Sequence, residues 1–326
     1  MITKSAVILL LIPLMVAGIE VEKRGSSMKV EGPTADSLLE QADEIFQSRD
    51  YKAALDEYTQ VLETARSEFN RSVETEALAQ LARVHLLLNR KDEGRGWLSN
   101  AAQKATDSDP MGWSRYLGVR GRYEWKDDDL TASRKTFNEM FVFCNTNALW
   151  SRAVDAAHMI AIVADSPEEQ IEWSRKGIEA AESGGVESWL GPLWNNLAGT
   201  YYDTKQYDSA LTCYIKAREY HWRFSGEVAK LYADYHVGMA NRLAGNLDEA
   251  ENWLRPVLAW AERLENHSAI GQACEDLAEI KVSRGNKKEG LELFKRARSE
   301  YKAAGFDETW PEVWDGINKR IEQVEK

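Results

Sequence analysis

The sequence has few of the residues that cross-link a chain or interrupt a helix. Seven prolines and three cysteines occur in 326 residues. The cysteines, Cys144, Cys213 and Cys274, fall in different helical segments with no pair at metal-ligand spacing. They therefore predict buried, reduced thiols rather than a disulfide framework or a metal site.

Basic residues are also in the minority. Lysine and arginine number 41 against 53 aspartate and glutamate residues, a net charge of −12 at pH 7. Because nucleic acids are polyanions, a protein that binds them needs a basic face. This charge balance argues against a nucleic-acid partner.

Catalytic signatures are missing from the sequence as well. It contains no HisGluXaaXaaHis, no phosphate-binding GlyXaaXaaXaaXaaGlyLys, no GlyXaaSerXaaGly and no paired-cysteine motif. The five histidines lie in separate segments, and His158 is predicted to be a core residue. We predict no catalytic residue, no metal and no cofactor, with an enzyme of unrecognised type as the lesser alternative.

What the sequence does contain is a repeat of about 40 residues, marked by two series of mostly small residues. The first series is Ala42, Ala82, Gly121, His158, Ala198, Gly238 and Ala278. The second series follows 12 residues later each time and is Ala54, Gly94, Ser133, Gln170, Ala210, Ala250 and Gly290.

Small residues are expected where two helices cross closely, and the larger apolar residues around them fall at helical spacing. One helical hairpin cannot cover its own apolar face, so successive hairpins must stack. No segment between 35 and 326 alternates with the period of a strand. The sequence therefore predicts an all-α, right-handed α-solenoid of about seven helix-turn-helix repeats with a C-terminal capping helix.

The repeat resembles the tetratricopeptide repeat family, and the resemblance covers roughly residues 36 to 300. The unit that matches best carries Trp194, Leu197, Ala198, Tyr201, Tyr207, Ala210, Tyr214 and Ala217. The fourth unit departs from the motif at His158 and Gln170. The period exceeds the usual 34 residues or so, which implies longer helices. HEAT or armadillo repeats share the period but do not explain the small-residue pairs.

The predicted organisation has four parts. Residues 1–19 resemble a signal peptide or a short membrane anchor, and 20–35 form a polar linker. Residues 36–305 form the solenoid and 306–326 the capping helix. We expect an exported, periplasmic or extracellular, or membrane-anchored protein. The alternative is a cytoplasmic protein that starts at Met28.

The resemblance implies a groove, lined by the first helix of each repeat, that binds a peptide or helix of a protein partner. The candidate groove residues are Arg83, Arg115, Arg122, Trp125, Arg152, Asn195, Tyr202, Tyr232, Tyr235, Met239 and Arg242. They predict an adaptor or scaffold whose partner segment carries acidic and apolar side chains. In that case reversing the charge of Arg115 and Arg122 should weaken binding without lowering the melting temperature.

Two alternatives stay open. The arginines could instead form ordinary salt bridges with Glu76, Glu124 and Asp155 of neighbouring repeats. The whole chain could also be a structural module that builds an assembly or a homo-oligomer through its outer faces and ends, with Trp310 and Trp314 as candidate contacts. A membrane is expected only through an uncleaved N-terminal segment.

Overall fold

A computed structural model of the protein describes residues 32–326, and in this range every regular element is a helix. The predicted signal peptide or anchor and most of the predicted linker lie outside the described residues. The helices are α1 (Ala35–Gln47), α2 (Tyr51–Ser67), α3 (Arg71–Leu87), α4 (Lys91–Lys104), α5 (Pro110–Lys126), α6 (Leu130–Thr146), α7 (Trp150–Ile162), α8 (Pro167–Ser183), α9 (Leu190–Asp203), α10 (Tyr207–Phe224), α11 (Glu227–Leu243), α12 (Leu247–Arg263), α13 (His267–Ser283), α14 (Lys287–Ala303), α15 (Phe306–Thr309) and α16 (Pro311–Glu325), with a short 3-10 helix at Glu187–Trp189.

These helices belong to two compact units, which we call the N-terminal unit (32–193) and the C-terminal unit (194–326). In the N-terminal unit, the hairpins α1/α2, α3/α4, α5/α6 and α7/α8 follow one another, and their first helices α1, α3, α5 and α7 are packed as successive neighbours. In the C-terminal unit, α11/α12 and α13/α14 form hairpins and α11 also packs against α13. The predicted class of stacked helical hairpins is confirmed.

Small residues occupy the helix crossings, as predicted. Ala42, Ala54 and Ala82 are completely buried. At Gly94 a Cβ atom would lie 1.9 Å from the hydroxyl of Tyr123 and 3.0 Å from the carbonyl oxygen of Ala82. Because protein interiors are close-packed, such positions accept nothing larger than the residue they hold.

The fourth hairpin is built differently, in agreement with its departure from the motif. His158 and Gln170 are only half-buried, and the His158 ring lies 6.3 Å from that of Trp189. The close approach in this hairpin falls instead at Gly177, where a Cβ atom would lie 3.4 Å from that of Ala157. Burial lowers the pKa of His158, which therefore remains a neutral residue of the packed interior at pH 7.

The hairpin turns share one backbone conformation. Many helices end in a residue of left-handed conformation that follows the C-cap and closes a Schellman motif. After α2, for example, the N–H of Phe69 donates to Arg66 and that of Asn70 donates to Ala65, at 3.2 and 2.8 Å. The residues at this turn position, which we call the left-handed turn residues, are Arg49, Phe69, Asn89, Asp128, Ala148, Gly185, Lys205, Gly245, Glu265, Gly285 and Gly305.

The end of the chain covers the last hairpin. Helix α16 packs against α14, with Ile317 and Ile321 buried in the core of the C-terminal unit. Trp310 and Trp314 are partly buried against the same core. The predicted capping helix is confirmed, and both tryptophans contribute to this packing.

The three cysteines are free and buried, as predicted. Burial raises the pKa of the Cys274 thiol to about 11, so this thiol is protonated at neutral pH. Within residues 32–326, none of the helices is long and apolar enough to cross a membrane.

Candidate partner-binding site

The first helices of the N-terminal unit carry a row of charged and polar side chains. Their spacing of three, four or seven residues within each helix places them on one side of it. We call this surface the first-helix face, and its residues are Asp43, Glu76, Gln80, Arg83, Arg115, Arg122, Arg152 and Asp155.

Arg115 is held between two carboxylates from earlier repeats. Its Nη2 lies 2.7 Å from Oδ2 of Asp43 and its Nε lies 3.1 Å from Oε2 of Glu76. Burial acts to lower the pKa of Arg115, but the two carboxylates outweigh burial and raise it above its usual range. Asp43 also accepts hydrogen bonds from Tyr58 at 2.6 Å and from Gln80 at 3.0 Å.

Arg152 shares one of these carboxylates. Its Nη2 lies 2.5 Å from the same oxygen of Glu76, and its Nη1 donates to Oγ of Ser114 at 2.5 Å and to the carbonyl oxygen of Met111. Glu76 is completely buried. A buried carboxylate needs such partners, because an unpaired charge in the interior is very costly.

Arg122 forms a fourth ion pair, with its Nη2 2.6 Å from Oδ1 of Asp155. Burial acts to raise the pKa of Asp155, but Arg122 and Arg83 outweigh burial and lower it. The salt-bridge alternative is therefore confirmed for Arg115, Arg122 and Arg152. The third predicted acceptor, Glu124, instead pairs with Arg120 of its own helix at 2.8 Å.

Two of these pairs join repeats that are not adjacent. Arg115 reaches from α5 to Asp43 of α1, and Arg152 reaches from α7 to Glu76 of α3. Side chains two repeats apart can meet only where a row of helices curves toward them. The first-helix face is therefore the inner side of the curve of the N-terminal unit, as expected for a groove.

Arg83 differs from the other arginines of this face. Its guanidinium carbon lies 4.8 Å from the ring centroid of Phe46, but within residues 32–326 it forms no ion pair. Burial lowers the pKa of Arg83 to about 10, and the positive charge of Arg122 contributes to the decrease. This half-buried cation has an aromatic surface beneath it and no bound carboxylate among the described residues 32–326.

Three further predicted groove residues, Trp125, Asn195 and Tyr202, differ in exposure and in contacts. Trp125 is half-buried, and the ammonium nitrogen of Lys126 lies 4.7 Å from its ring centroid. Asn195 is half-buried in α9, and Tyr202 is 38% exposed.

The expected exposure of the aromatic groove residues in α11 was wrong. Tyr232 and Tyr235 are buried in the core of the C-terminal unit, and Met239 packs against that core. These side chains lie on the side of α11 that contacts α12 and α13. Burial, together with Asp276, raises the pKa of Tyr235 well above 10.

Arg242 is likewise engaged inside the C-terminal unit. Its Nε lies 2.5 Å from Oδ1 of Asp276. The predicted pocket for apolar side chains is thus filled by the protein's own packing.

Sequence reasoning missed several residues that shape the first-helix face. Asp43, Tyr58 and Gln80 are hydrogen-bonded to one another, Asp43 also binds Arg115, and the ring of Phe46 lies beside Arg83. Asp43 and Phe46 are three residues apart in α1, a spacing that could have placed both on one side of that helix. Within residues 32–326, no three His, Cys, Asp or Glu side chains are arranged to hold a metal ion.

The stacked hairpins and their crossing residues define a helical-repeat protein. A tetratricopeptide repeat model matches residues 195–221, in the unit where the motif is most complete. This match identifies tetratricopeptide repeat sequence in that unit, and the solved structures below share the fold of the chain. Comparison with curated protein sequences gave no match.

Several solved structures share the fold at low sequence identity. A signal transduction ATPase with numerous domains and a tetratricopeptide repeat sensor, from Pyrococcus horikoshii, is 15% identical with a TM-score of 0.70. The match covers 88% of this chain but only 44% of the ATPase chain. A tetratricopeptide repeat protein from Cytophaga hutchinsonii is 13% identical over 79% of this chain and 93% of its own, with a TM-score of 0.54.

A third similar structure is a Rap protein complexed with competence and sporulation factor. It is 13% identical over 89% of this chain and 87% of its own, with a TM-score of 0.51. At these identities the likeness concerns the fold alone.

Proposed function

We propose that the protein is a non-enzymatic interaction module and that its N-terminal unit binds an acidic segment of a partner protein along the first-helix face. The observation that carries this proposal is the charge of Arg83, which forms no ion pair within residues 32–326. Arginine binds carboxylates through parallel N–H donors, and such charge-assisted hydrogen bonds are about twice as strong as neutral ones.

The environment of Arg83 favours an anion over any other ligand. Burial and the charge of Arg122 both disfavour the charged form of Arg83 in the free protein. A carboxylate bound at this point would compensate for both. The guanidinium carbon lies 4.8 Å from the ring centroid of Phe46, and the N–H groups of the guanidinium would be the donors to the ligand.

The other arginines support the site rather than form its contact. Arg115 and Arg122 are held by Asp43, Glu76 and Asp155, so their charges are already balanced. Reversing them would leave carboxylates of the face without partners and place further negative charge beside them. The earlier expectation, that such variants keep the melting temperature of the native chain, is therefore replaced by an expected loss of stability.

The similar structures agree with an interaction role. The repeat domain of the Pyrococcus horikoshii ATPase is described as a sensor, and the Rap protein was solved with competence and sporulation factor bound. Both likenesses rest on fold, so they support a binding function in general and leave the partner to experiment.

The test uses the full chain and two fluorescent peptides, acetylated hexaglutamate amide and its hexaglutamine counterpart. We expect binding of the acidic peptide only, measured by fluorescence anisotropy at low salt. Arg83→Gln should weaken that binding by about tenfold, the value of one charge-assisted hydrogen-bonding group.

The matched control is Arg120→Gln, which removes the same charge from an arginine paired within its own helix. Its affinity for hexaglutamate should stay within about twofold of the native chain, because exposed pairs contribute little. Equal losses in both variants, or equal binding of the two peptides, would contradict a specific site at Arg83.

Assembly through the outer faces and ends is the alternative function, and it stays a prediction. Sedimentation of the full chain over a range of concentrations distinguishes the two: a mass that rises with concentration favours assembly. Export or anchoring by residues 1–19 also remains a proposal. It is tested by determining the N-terminal residue of the protein purified from its native cells.

A further inference from the structure

Phe69 is an exposed aromatic residue at a position where the fold favours a small or polar one. It is a left-handed turn residue between α2 and α3, with φ of 54°, and 93% of its surface is exposed. Glycine adopts this conformation without steric cost, whereas a residue with a bulky side chain is strained in it.

The equivalent turns show what the fold alone requires. Four of the left-handed turn residues are glycine, and of the others Phe69 is the one aromatic residue. The ring at this position makes little contact with its own protein. Packing and turn geometry thus do not explain a phenylalanine at this position, whereas contact with another molecule would explain it.

The surroundings of Phe69 are basic. It borders an open depression of about 510 Å³ that is also lined by Arg66, Arg71, Glu74, Gln103 and Lys104. These side chains include three cations but one carboxylate. The depression therefore carries a local charge of +2 in a chain whose net charge is −12.

The single carboxylate does not neutralise this surface. Glu74 lies 3.0 Å from Nε of Arg66 and 2.9 Å from Nζ of Lys104, so one anion is shared by two cations. Arg71 donates to the carbonyl oxygen of Lys104 at 3.0 Å. The nearby carboxylate of Glu68 accepts from the backbone N–H of Ala35, which directs it to the start of α1.

We propose that Phe69 and this depression form a second docking surface, separate from Arg83, for an acidic protein segment that carries an aromatic or aliphatic side chain. The apolar side chain would cover the ring of Phe69. The carboxylates of the segment would pair with Arg66, Arg71 and Lys104, whose excess charge selects an acidic partner. Aromatic residues and arginine are enriched at protein interfaces, where a few buried anchors supply most of the binding energy.

The two surfaces lie toward opposite ends of α3, which begins at Arg71, two residues after Phe69, and ends at Leu87, four residues after Arg83. Arg71 and Arg83 are twelve positions apart in the helix, which corresponds to about 18 Å along its axis. One surface can therefore be altered without touching the other, and each proposal can fail alone.

The experiment measures binding of the full chain to a fluorescent peptide, acetyl-Glu-Glu-Trp-Leu-Glu-Glu-amide, with acetylated hexaglutamate amide as the second probe. Phe69→Gly should weaken binding of the Trp-Leu peptide by about tenfold and leave binding of hexaglutamate unchanged. Its melting temperature should equal or exceed that of the native chain, because the turn is relieved. Phe69→Asn, which also tolerates this backbone conformation, should behave in the same way.

A charge variant tests the other half of the proposal. Lys104→Gln should also weaken binding of the Trp-Leu peptide, whereas Arg83→Gln should weaken binding of hexaglutamate more than that of the Trp-Leu peptide. Unchanged affinity in the Phe69 variants, or no binding of the Trp-Leu peptide by the native chain, would overturn the docking surface.

A lipid surface is the other class of partner that an exposed phenylalanine among cations would suit. Vesicles of phosphatidylcholine and phosphatidylserine in a 3:1 ratio are therefore included. Binding to these vesicles that depends on Phe69, without Phe69-dependent peptide binding, would refute the protein segment as the occupant.

Discussion

The guanidinium of Arg152 donates to the carboxylate of Glu76, which precedes it by 76 positions, with 2.5 Å between Nη2 and Oε2. The contact joins the fourth helical hairpin to the second. Glu76 also accepts from Arg115 of the intervening hairpin, at 3.1 Å from its Nε. One buried carboxylate thus ties together three consecutive repeats.

Neutralising Glu76 should destabilise the protein severely. Glu76→Gln keeps the size of the side chain but removes the carboxylate partner of Arg152 and one of the two carboxylate partners of Arg115. Breaking a buried ion pair by changing one partner typically costs about 3–5 kcal/mol. We expect a corresponding decrease in the urea midpoint, followed by circular dichroism. Glu172→Gln, in an exposed pair with Lys176, should change stability by about 0.5 kcal/mol or less. A similar small effect at Glu76 would mean that its charge contributes little to the fold.

Removing the charge of Arg115 should destabilise the protein, whereas removing the charge of Arg83 should not. Arg115→Met leaves Asp43 and Glu76 short of a cation and should cost about 3 kcal/mol. Arg83→Met removes a charge that has no carboxylate bound within residues 32–326, so stability should stay within about 0.5 kcal/mol or increase. Thermal unfolding of both variants in one buffer gives the comparison. A large loss of stability at Arg83 would reveal a structural role instead of a contact for a ligand.

Two glycines of α4 should respond to alanine in opposite directions. At Gly94 the new methyl group would collide with the buried hydroxyl of Tyr123, which donates to the carbonyl oxygen of Ala82. We expect Gly94→Ala to cost about 1–3 kcal/mol. Gly96 has no atom within 4 Å of its added Cβ, so Gly96→Ala should stabilise the helix by up to about 1 kcal/mol. Chemical denaturation of the two variants tests this prediction. Equal shifts of their denaturation midpoints would exclude close packing as the reason for glycine at position 94.

Lowering the pH should destabilise the C-terminal unit through His236. This ring stacks on Tyr214 with 4.9 Å between ring centroids, and within residues 32–326 its Nδ1 has no hydrogen-bond partner. Burial lowers the pKa of His236 to about 3, whereas the unfolded value is about 6.5. The unfolded state therefore binds a proton that the folded state does not, and stability decreases as pH falls below about 6.5.

Between pH 7 and pH 5 the contribution of His236 is about 2 kcal/mol. The measurement is the free energy of unfolding at both pH values for the native chain and for His236→Phe. The variant keeps a ring of similar size and should lose about 2 kcal/mol less than the native chain over this interval. If both lose the same amount, His236 is charged in the folded protein.

The architecture was predictable because it rests on short-range patterns. Pairs such as Ala42 and Ala54 fix the crossing of two helices within one hairpin, and polar breaks mark the turns between them. The same patterns showed that the fourth hairpin departs at His158. These are local properties of the chain, and their recurrence in successive repeats strengthens each prediction.

The site was less predictable because its contacts are distant in sequence. Periodicity placed Arg115 on one side of α5 with Arg122, but it could not show that Asp43, 72 positions earlier, reaches its guanidinium. Tyr235 was assigned to an open groove, whereas the structure buries it in the core of the C-terminal unit. Phe69 was overlooked because no helical pattern includes a turn residue.

The ion pairs between non-adjacent repeats affect how the N-terminal unit unfolds. In an array held only by nearest neighbours, an end hairpin can fray while the remainder stays folded. Arg115 and Arg152 bind carboxylates two hairpins away, so loosening the first or the fourth hairpin also breaks an ion pair of the third or the second. Amide hydrogen exchange should then show α1, α3, α5 and α7 opening together as one cooperative block rather than in sequence from the ends.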